Sequence, residues 1–155
     1  MLKLIEGNFD HPDVNDLLTK HFIELRNASP EGSAHVLDIP GLMVPSIKFW
    51  SIWKNDKLMG CGALKLLDKD HGEFKSIRVH DEFRNQGNGI KVINYLLEEA
   101  KKLKITKISI ETGAGNFFIP ARKLFNSCGF KPCQPFAHYK EDNNSLYLTK
   151  LLDNN

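Results

Sequence analysis

The sequence predicts an α/β (α+β) domain built on a mixed, mostly antiparallel, twisted sheet with a central βαβ crossover and flanking helices. Three observations carry this. Runs of aromatic and aliphatic residues separated by short polar turns between Ile47 and Val79 make an antiparallel meander. A helical stripe from Ile90 to Leu103 separates the strand ending at Val79 from another at Thr106 to Glu111, and a helix joining two neighbouring strands makes them parallel. The chain has 155 residues, the size of one domain, and residues 1–155 are read as a single one.

The elements follow in order. Lys3 to Glu6 is a short strand. In Asp10-His11-Pro12, Pro12 suits the first turn of a helix and Asp10 can cap it. Val14, Leu17, Leu18, His21, Phe22 and Leu25 form the stripe of an amphipathic helix lying on a core, with His21 packed at its edge. Between Ala28 and Ser46, Pro30, Gly32, Pro40, Gly41 and Pro45 leave room for at most a short helix around His35 to Asp38, and a connection this long is usually functional. Ile47 to Lys54 and Leu58 to Leu67 form a hairpin about Asn55-Asp56, and Glu73 to Val79 is the next strand. A helix of about four turns begins near Gly89. After the strand at Thr106 to Glu111, a short helix through Pro120, Ala121, Leu124, Phe125 and Cys128 stops at Gly129, and Phe130 to Phe136 and Ser145 to Leu151 are the last strands.

Hydrophobic residues make up 41% of the chain, enough for a core, and charged residues 26%, enough to coat it. Lys and Arg number 21 against 19 Asp and Glu, a net charge of +2 that excludes bulk neutralisation of a polyanion, so no nucleic-acid partner is expected. No stretch approaches the roughly 18 apolar residues of a membrane helix, and charge interrupts the first residues, so the expectation is a cytoplasmic protein without a membrane partner. Cys61, Cys128 and Cys133 form no CxxC pair and meet no His cluster at zinc spacing; they read as reduced thiols, and no metal is expected. Sheet edges leave a homodimer open.

Chemistry concentrates at the start of the crossover helix, in Arg84-Asn85-Gln86-Gly87-Asn88-Gly89-Ile90. Two glycines one residue apart let the chain turn tightly, and the first helical N–H groups point outward unpaired. Such a site holds a pyrophosphate with backbone amides and the positive end of the helix dipole, and Arg84 adds a cation. A Walker A loop would end in Gly-Lys-Ser/Thr, whereas Gly89 is followed by Ile90 and Lys91. A Rossmann fingerprint would need Gly or Ala where Val92 stands.

The loop, the preceding strand with Ile77-Arg78-Val79 and the amphipathic helix after it resemble the GNAT superfamily, the Gcn5-related N-acetyltransferases that use acetyl-CoA. Their acyl-CoA signature, Arg/Gln-x-x-Gly-x-Gly/Ala, is matched by Arg84 to Gly89. A second signature is similar to Asn116, Ala121-Arg122-Lys123-Leu124-Phe125 and Gly129-Phe130. Ser29 to Ser33 and Glu111 to Gly113 are similar to stretches in small uncharacterised bacterial members. The resemblance implies a strand bearing Ile77 and Val79 that splays from its neighbour to pair with the pantetheine arm. It also implies a pyrophosphate on the amides of Gln86 to Ile90, and Asn116 and Phe125 beside the cofactor. The spacing from Asn116 to Ala121 is longer than usual in the family, and Pro120 intervenes.

Acetyl transfer to an amine requires the neutral amine, and a lysine-like ammonium has a pKa of about 10.4, so a general base is useful. Glu73 looks like the glutamate base of histone-type members, and strand alternation groups it with Lys75, Ile77 and Val79. The other reading is a solvated glutamate beside Lys75. Many members carry Tyr where Phe125 stands, and that hydroxyl protonates the leaving thiolate; Phe cannot. The thiolate then leaves without a protein acid, or Tyr139 reaches in, unless Tyr139 only packs at the rim. Glu111, at the end of its strand, is a candidate for amine binding or base work. The Ala28 to Ser46 loop is expected to form the substrate side, with Arg26, Glu31, His35 and Asp38 to read a polar acceptor and Trp50 or Trp53 to wall it.

The expected function is acetyl-CoA-dependent acetylation of a primary amine of a small molecule or peptide, by direct attack in a ternary complex. The alternative is a non-catalytic acyl-CoA sensor of the same fold, suggested by Phe125 and the Asn116 spacing.

Overall fold

A computed structural model describes residues 2–153. β1 (Leu2–Glu6), β2 (Ile47–Lys54), β3 (Lys57–Leu66) and β4 (His71–Val79) pair antiparallel in succession. Asn55 turns the β2–β3 hairpin at a φ of 56°, a left-handed conformation that Asn tolerates better than most residues. α3 (Asn88–Lys102) carries the chain across so that β5 (Lys107–Gly113) runs parallel to β4. β7 (Ser145–Leu151) pairs antiparallel with β5, and the two-residue β6 (Lys131–Pro132) with β7, giving the order β1-β2-β3-β4-β5-β7-β6. The mixed, mostly antiparallel sheet and its single crossover are those the sequence predicts.

Helices cover both faces. α1 (Pro12–Ala28) and α2 (Ile39–Leu42) lie on one, where Val14, Leu17 and Leu18 pack with Phe49, Trp53, Leu58, Cys61 and Ala63. α3 and α4 (Ile119–Ser127) lie on the other, with Val92, Ile93, Leu96 and Ala100 against Leu64, Phe74, Ile108 and Ile110. Each fully buried Leu or Ile there contributes about 1.5–3 kcal/mol of transfer free energy. A Cβ at Gly62 of β3 would stand 2.3 Å from Leu96, so glycine sets how closely α3 approaches the sheet.

Four local expectations are corrected. His11, not Asp10, caps α1: Pro12 opens the helix, and His11 Nδ1 accepts from Asp13 N–H at 3.1 Å. The short helix in the long loop is α2, displaced to Ile39–Leu42. Asp38 caps it by accepting from Gly41 N–H, and Pro40 sits in the first turn, where its missing N–H is not needed. Trp50 and Trp53 are core residues and wall no substrate; the Trp53 indole N–H donates to Ser51 Oγ at 2.9 Å. The strand expected over Phe130 to Phe136 shrinks to β6, since Pro132 and Pro135 cannot donate to a ladder. Residues 133–144 cross the sheet face instead, bringing Phe136 and Tyr139 against Tyr147.

Two features of β4 shape the site. It pairs with β5 only through His71↔Lys107, Gly72↔Ile108 and Glu73↔Ser109, and beyond these the strands diverge. Against β3, Ala63 faces Lys75 but Cys61 faces Arg78, so β4 holds one extra residue in a bulge, with Ser76 at a φ of 53°. The bulge overturns the expected alternation. Glu73, Lys75 and Arg78 share the face covered by α1, whereas Ile77 and Val79 pack toward α3.

Candidate active site

The divergence of β4 from β5 opens a cleft of about 570 Å³. Phe74 to Val79 and Ile110 to Gly113 form its walls. The turn before α3 and helix α4 line the end away from the β4–β5 pairing, α1 lies beside that turn through the Lys20–Asp81 and Glu24–Arg78 ion pairs, and residues 33–36 also line the cleft. Along β4, the edge facing β5 makes no ladder beyond Glu73, so its backbone groups are available to an extended ligand arm. Ile77 and Val79 line this edge, as the resemblance implies.

The turn before α3 is built as an anion cradle. Asn85 and Gly87 both have positive φ, 61° and 78°, which folds the chain back and leaves Gly87 as the α3 N-cap with no side-chain cap. Asn88 is buried and ties the turn down by donating from Nδ2 to Phe83 O at 2.8 Å. A Cβ at Gly87 would meet no atom within 4 Å, so the space before these amides is open. Arg84, Asn85, Gly87, Asn88, Gly89 and Ile90 line the cleft. Gln86 does not; its side chain donates to Glu82 O at 3.1 Å, leaving only its backbone for a ligand. Arg84 is half exposed and pairs with Asp81 at 3.2 Å; Asp81, also bound by Lys20, has its carboxyl held below the usual range, chiefly by that Lys20 contact. Uncapped amides, a helix of four turns and a cation at the rim fit a pyrophosphate.

At the opposite end Glu111 faces the cleft, accepting from Ser145 Oγ at 2.8 Å. Burial pushes its carboxyl pKa up, opposed by the Ser145 bond and by the charges of His35 and Lys75. A carboxylate so raised suits a base. His35 lines the same end and packs edge-on against Tyr139, with ring centroids 5.1 Å apart.

Glu73 and Tyr139 do come together, although not in the cleft. The Tyr139 hydroxyl donates to Glu73 Oε2 at 2.6 Å, and Lys75 Nζ reaches Glu73 Oε2 at 3.3 Å and the Tyr139 oxygen at 3.0 Å. Glu73 is 1% exposed and only Lys75 of the three lines the cleft, so Lys75 stands between Glu73 and any ligand. Burial, and then the Glu73 charge, push the Tyr139 pKa well above its usual value, keeping its proton in place.

Other expected residues lie elsewhere. Arg26 is exposed, its guanidinium 5.4 Å from the Phe22 ring, and Glu31 is exposed; neither lines the cleft. Asn116 is exposed in the 3₁₀ turn Asn116–Phe118. This turn and Pro120 account for its long spacing to Ala121 and set it back from the cleft, which Phe117, Phe118 and Pro120 line instead. Phe125 lines the cleft and packs edge-on against Phe130 at 5.9 Å, placing no hydroxyl there. The Arg78 side chain turns to the α1 face, away from the cradle, with Nη2 2.6 Å from Glu24. The sequence reading had Lys75 only as a neighbour of Glu73 and missed the left-handed Ser76 and the turn of Arg78; the last two follow from the bulge, which alternation cannot reveal. Among the described residues no three His, Cys, Asp or Glu gather as a metal site, and no helix is long and apolar enough to cross a membrane.

A splayed parallel pair with an amide cradle at the crossover defines an acyl-CoA-binding transferase fold. The model of the acetyltransferase (GNAT) family matches residues 12–130. The chain is 45% identical over 139 residues to the uncharacterised N-acetyltransferase YsnE of Bacillus subtilis, covering 90% of this chain and 92% of that one. It is 35% identical over 155 residues to the uncharacterised N-acetyltransferase YedL of Escherichia coli, covering 100% and 98%. The crystal structure of a Bacillus subtilis acetyltransferase in complex with CoA superposes with a TM-score of 0.72 at 21% identity, covering 98% and 99%. The chain belongs to the GNAT family and is an acetyltransferase that uses acetyl-CoA.

Proposed function

We propose that the protein acetylates a primary amine of a small molecule or peptide by direct attack in a ternary complex, with Glu111 as the base. The observation that carries this is Glu111 itself: a half-buried carboxylate, bonded by Ser145 and of raised pKa, facing the cleft where β4 and β5 part. Acetyl-CoA supplies the acetyl thioester, held by the amides of Gln86 to Ile90, the Arg84 cation and the free edge of β4. Glu111 accepts the proton of the attacking amine as the N–C bond forms and the C–S bond breaks. Phe125 gives no proton to the leaving thiolate, and none is needed near neutral pH, where a thiol of pKa about 8.5 ionises readily.

Direct attack is supported by the cysteines. Cys61 is fully buried, and burial pushes its thiol up to about 12; Cys128 and Cys133 are also raised by burial, and none of the three lines the cleft. Glu73 acts in this reading as a positioning residue that, with Tyr139, fixes Lys75.

Initial rates of labelled acetyl transfer to an amine panel, at varied acetyl-CoA and varied amine, test the reading. A ternary complex gives intersecting double-reciprocal lines. Parallel lines would show a covalent acyl-enzyme and refute direct attack, and CoA binding without transfer to any amine would favour the sensor.

A further inference from the structure

We propose that the α1 side of the cleft is a carboxylate subsite, so that the acceptor is an amine that also carries a carboxylate, held by Arg78 and His21. The proposal rests on the acetyl-transfer reading above. His21 is 7% and Arg78 5% exposed, and both line the cleft. His21 Nδ1 and Arg78 Nε have no hydrogen-bond partner among the described residues. A buried polar atom left unpaired is destabilising, and more so when charged, yet here two of them come from separate elements, α1 and β4, onto one wall.

Glu24 Oε2 forms an ion pair with Arg78 Nη2 at 2.6 Å and Asp81 Oδ1 stands 3.7 Å from the same nitrogen, so these carboxylates occupy one arm of the guanidinium and leave Nε without an acceptor. The planar guanidinium fork of Arg78 offers a carboxylate parallel donors in one plane. Lys75, another cation lining the cleft, is already held by Glu73. Leu25, Ala34 and Val36 add apolar surface to the cleft. The bulge at Ser76 produces the arrangement: without the extra residue Arg78 would face α3. Its backbone lies on the cofactor strand while its side chain reads the acceptor.

The test compares matched amines at saturating acetyl-CoA: phenylalanine with phenethylamine, and β-alanine with propylamine. The carboxylate-bearing member is expected to have the higher kcat/KM by about 10- to 100-fold, the worth of a charge-assisted hydrogen-bonded pair. Arg78→Gln should bring the members of each pair together. His21→Phe should reduce the preference by about 2- to 10-fold through loss of one neutral hydrogen bond. CoA titration calorimetry checks that each variant is folded. Equal rates within both pairs, or a preference that survives in folded Arg78→Gln, would overturn the subsite and leave acetyl transfer standing. Failure to acetylate any amine would instead overturn acetyl transfer. In that case calorimetry of phenylalanine and phenethylamine into CoA-loaded protein reads the subsite alone: Arg78-dependent binding of phenylalanine supports it, and no binding at millimolar concentration overturns it.

Discussion

Replacing Gly87 by Glu and by Gln separates the backbone from the charge of the cofactor cradle. Gly87 has a φ of 78°, and any L side chain there is strained by about 1–2 kcal/mol, while a Cβ meets nothing within 4 Å. Both variants should therefore fold and lose similar stability. They differ only in charge, because the new side chain enters the space assigned to the pyrophosphate. A carboxylate about 5 Å from two phosphate charges, at an effective dielectric of about 40, is repelled by about 3 kcal/mol. Gly87→Glu should thus bind CoA about 200-fold more weakly than Gly87→Gln. Isothermal calorimetry at two salt concentrations measures this, and the gap should narrow as salt screens the repulsion. Equal affinities for the two variants, or affinities equal to that of the unaltered protein, would refute placement of the pyrophosphate at this turn.

Two further predictions concern the buried groups beside the cleft. Tyr139→Phe removes the hydroxyl that donates to Glu73 and should lower stability by about 1.5–3 kcal/mol, with a fall in kcat of less than tenfold. A collapse of kcat at unchanged melting temperature would make Tyr139 the proton donor instead. Burial first, and then the Arg78 and Arg84 charges, hold the His21 pKa down to about 3, so between about pH 3 and 6.5 the unfolded chain binds a proton that the folded chain refuses. Stability from this group is complete above pH 6.5 and falls on acidification by at most about 1.4 kcal/mol per unit. Thermal melts should show that slope, and His21→Phe should flatten it; an unchanged slope would contradict the burial of a neutral His21.

The parts legible in the sequence are those governed by local chemistry. Gly87 and Gly89 before an amphipathic stripe announce an amide cradle, and the aromatic runs about Asn55 announce the hairpin. Period-two reasoning fails at Ser76, because a non-glycine residue in a left-handed bulge leaves no compositional mark, and one inserted residue sends Arg78 to the opposite face from the one alternation implies. Tyr139 reaches Glu73 through a segment that leaves the sheet after Pro132, a tertiary contact across 66 residues of sequence. Glu111 was readable only as a strand-end carboxylate; its raised pKa depends on burial between elements far apart in the chain.

The central claim is that Glu111 takes the amine proton in the cleft, and the pH dependence of kcat/KM for unaltered protein and Glu111→Gln tests it most directly. Because burial raises the Glu111 pKa, the rate should climb with pH along a limb lying above the ordinary carboxylate value of about 4.3. Glu111→Gln should lose that limb and about 10²- to 10⁴-fold in rate, with CoA affinity retained. A Glu111→Gln profile that keeps both the limb and the rate would contradict the assignment.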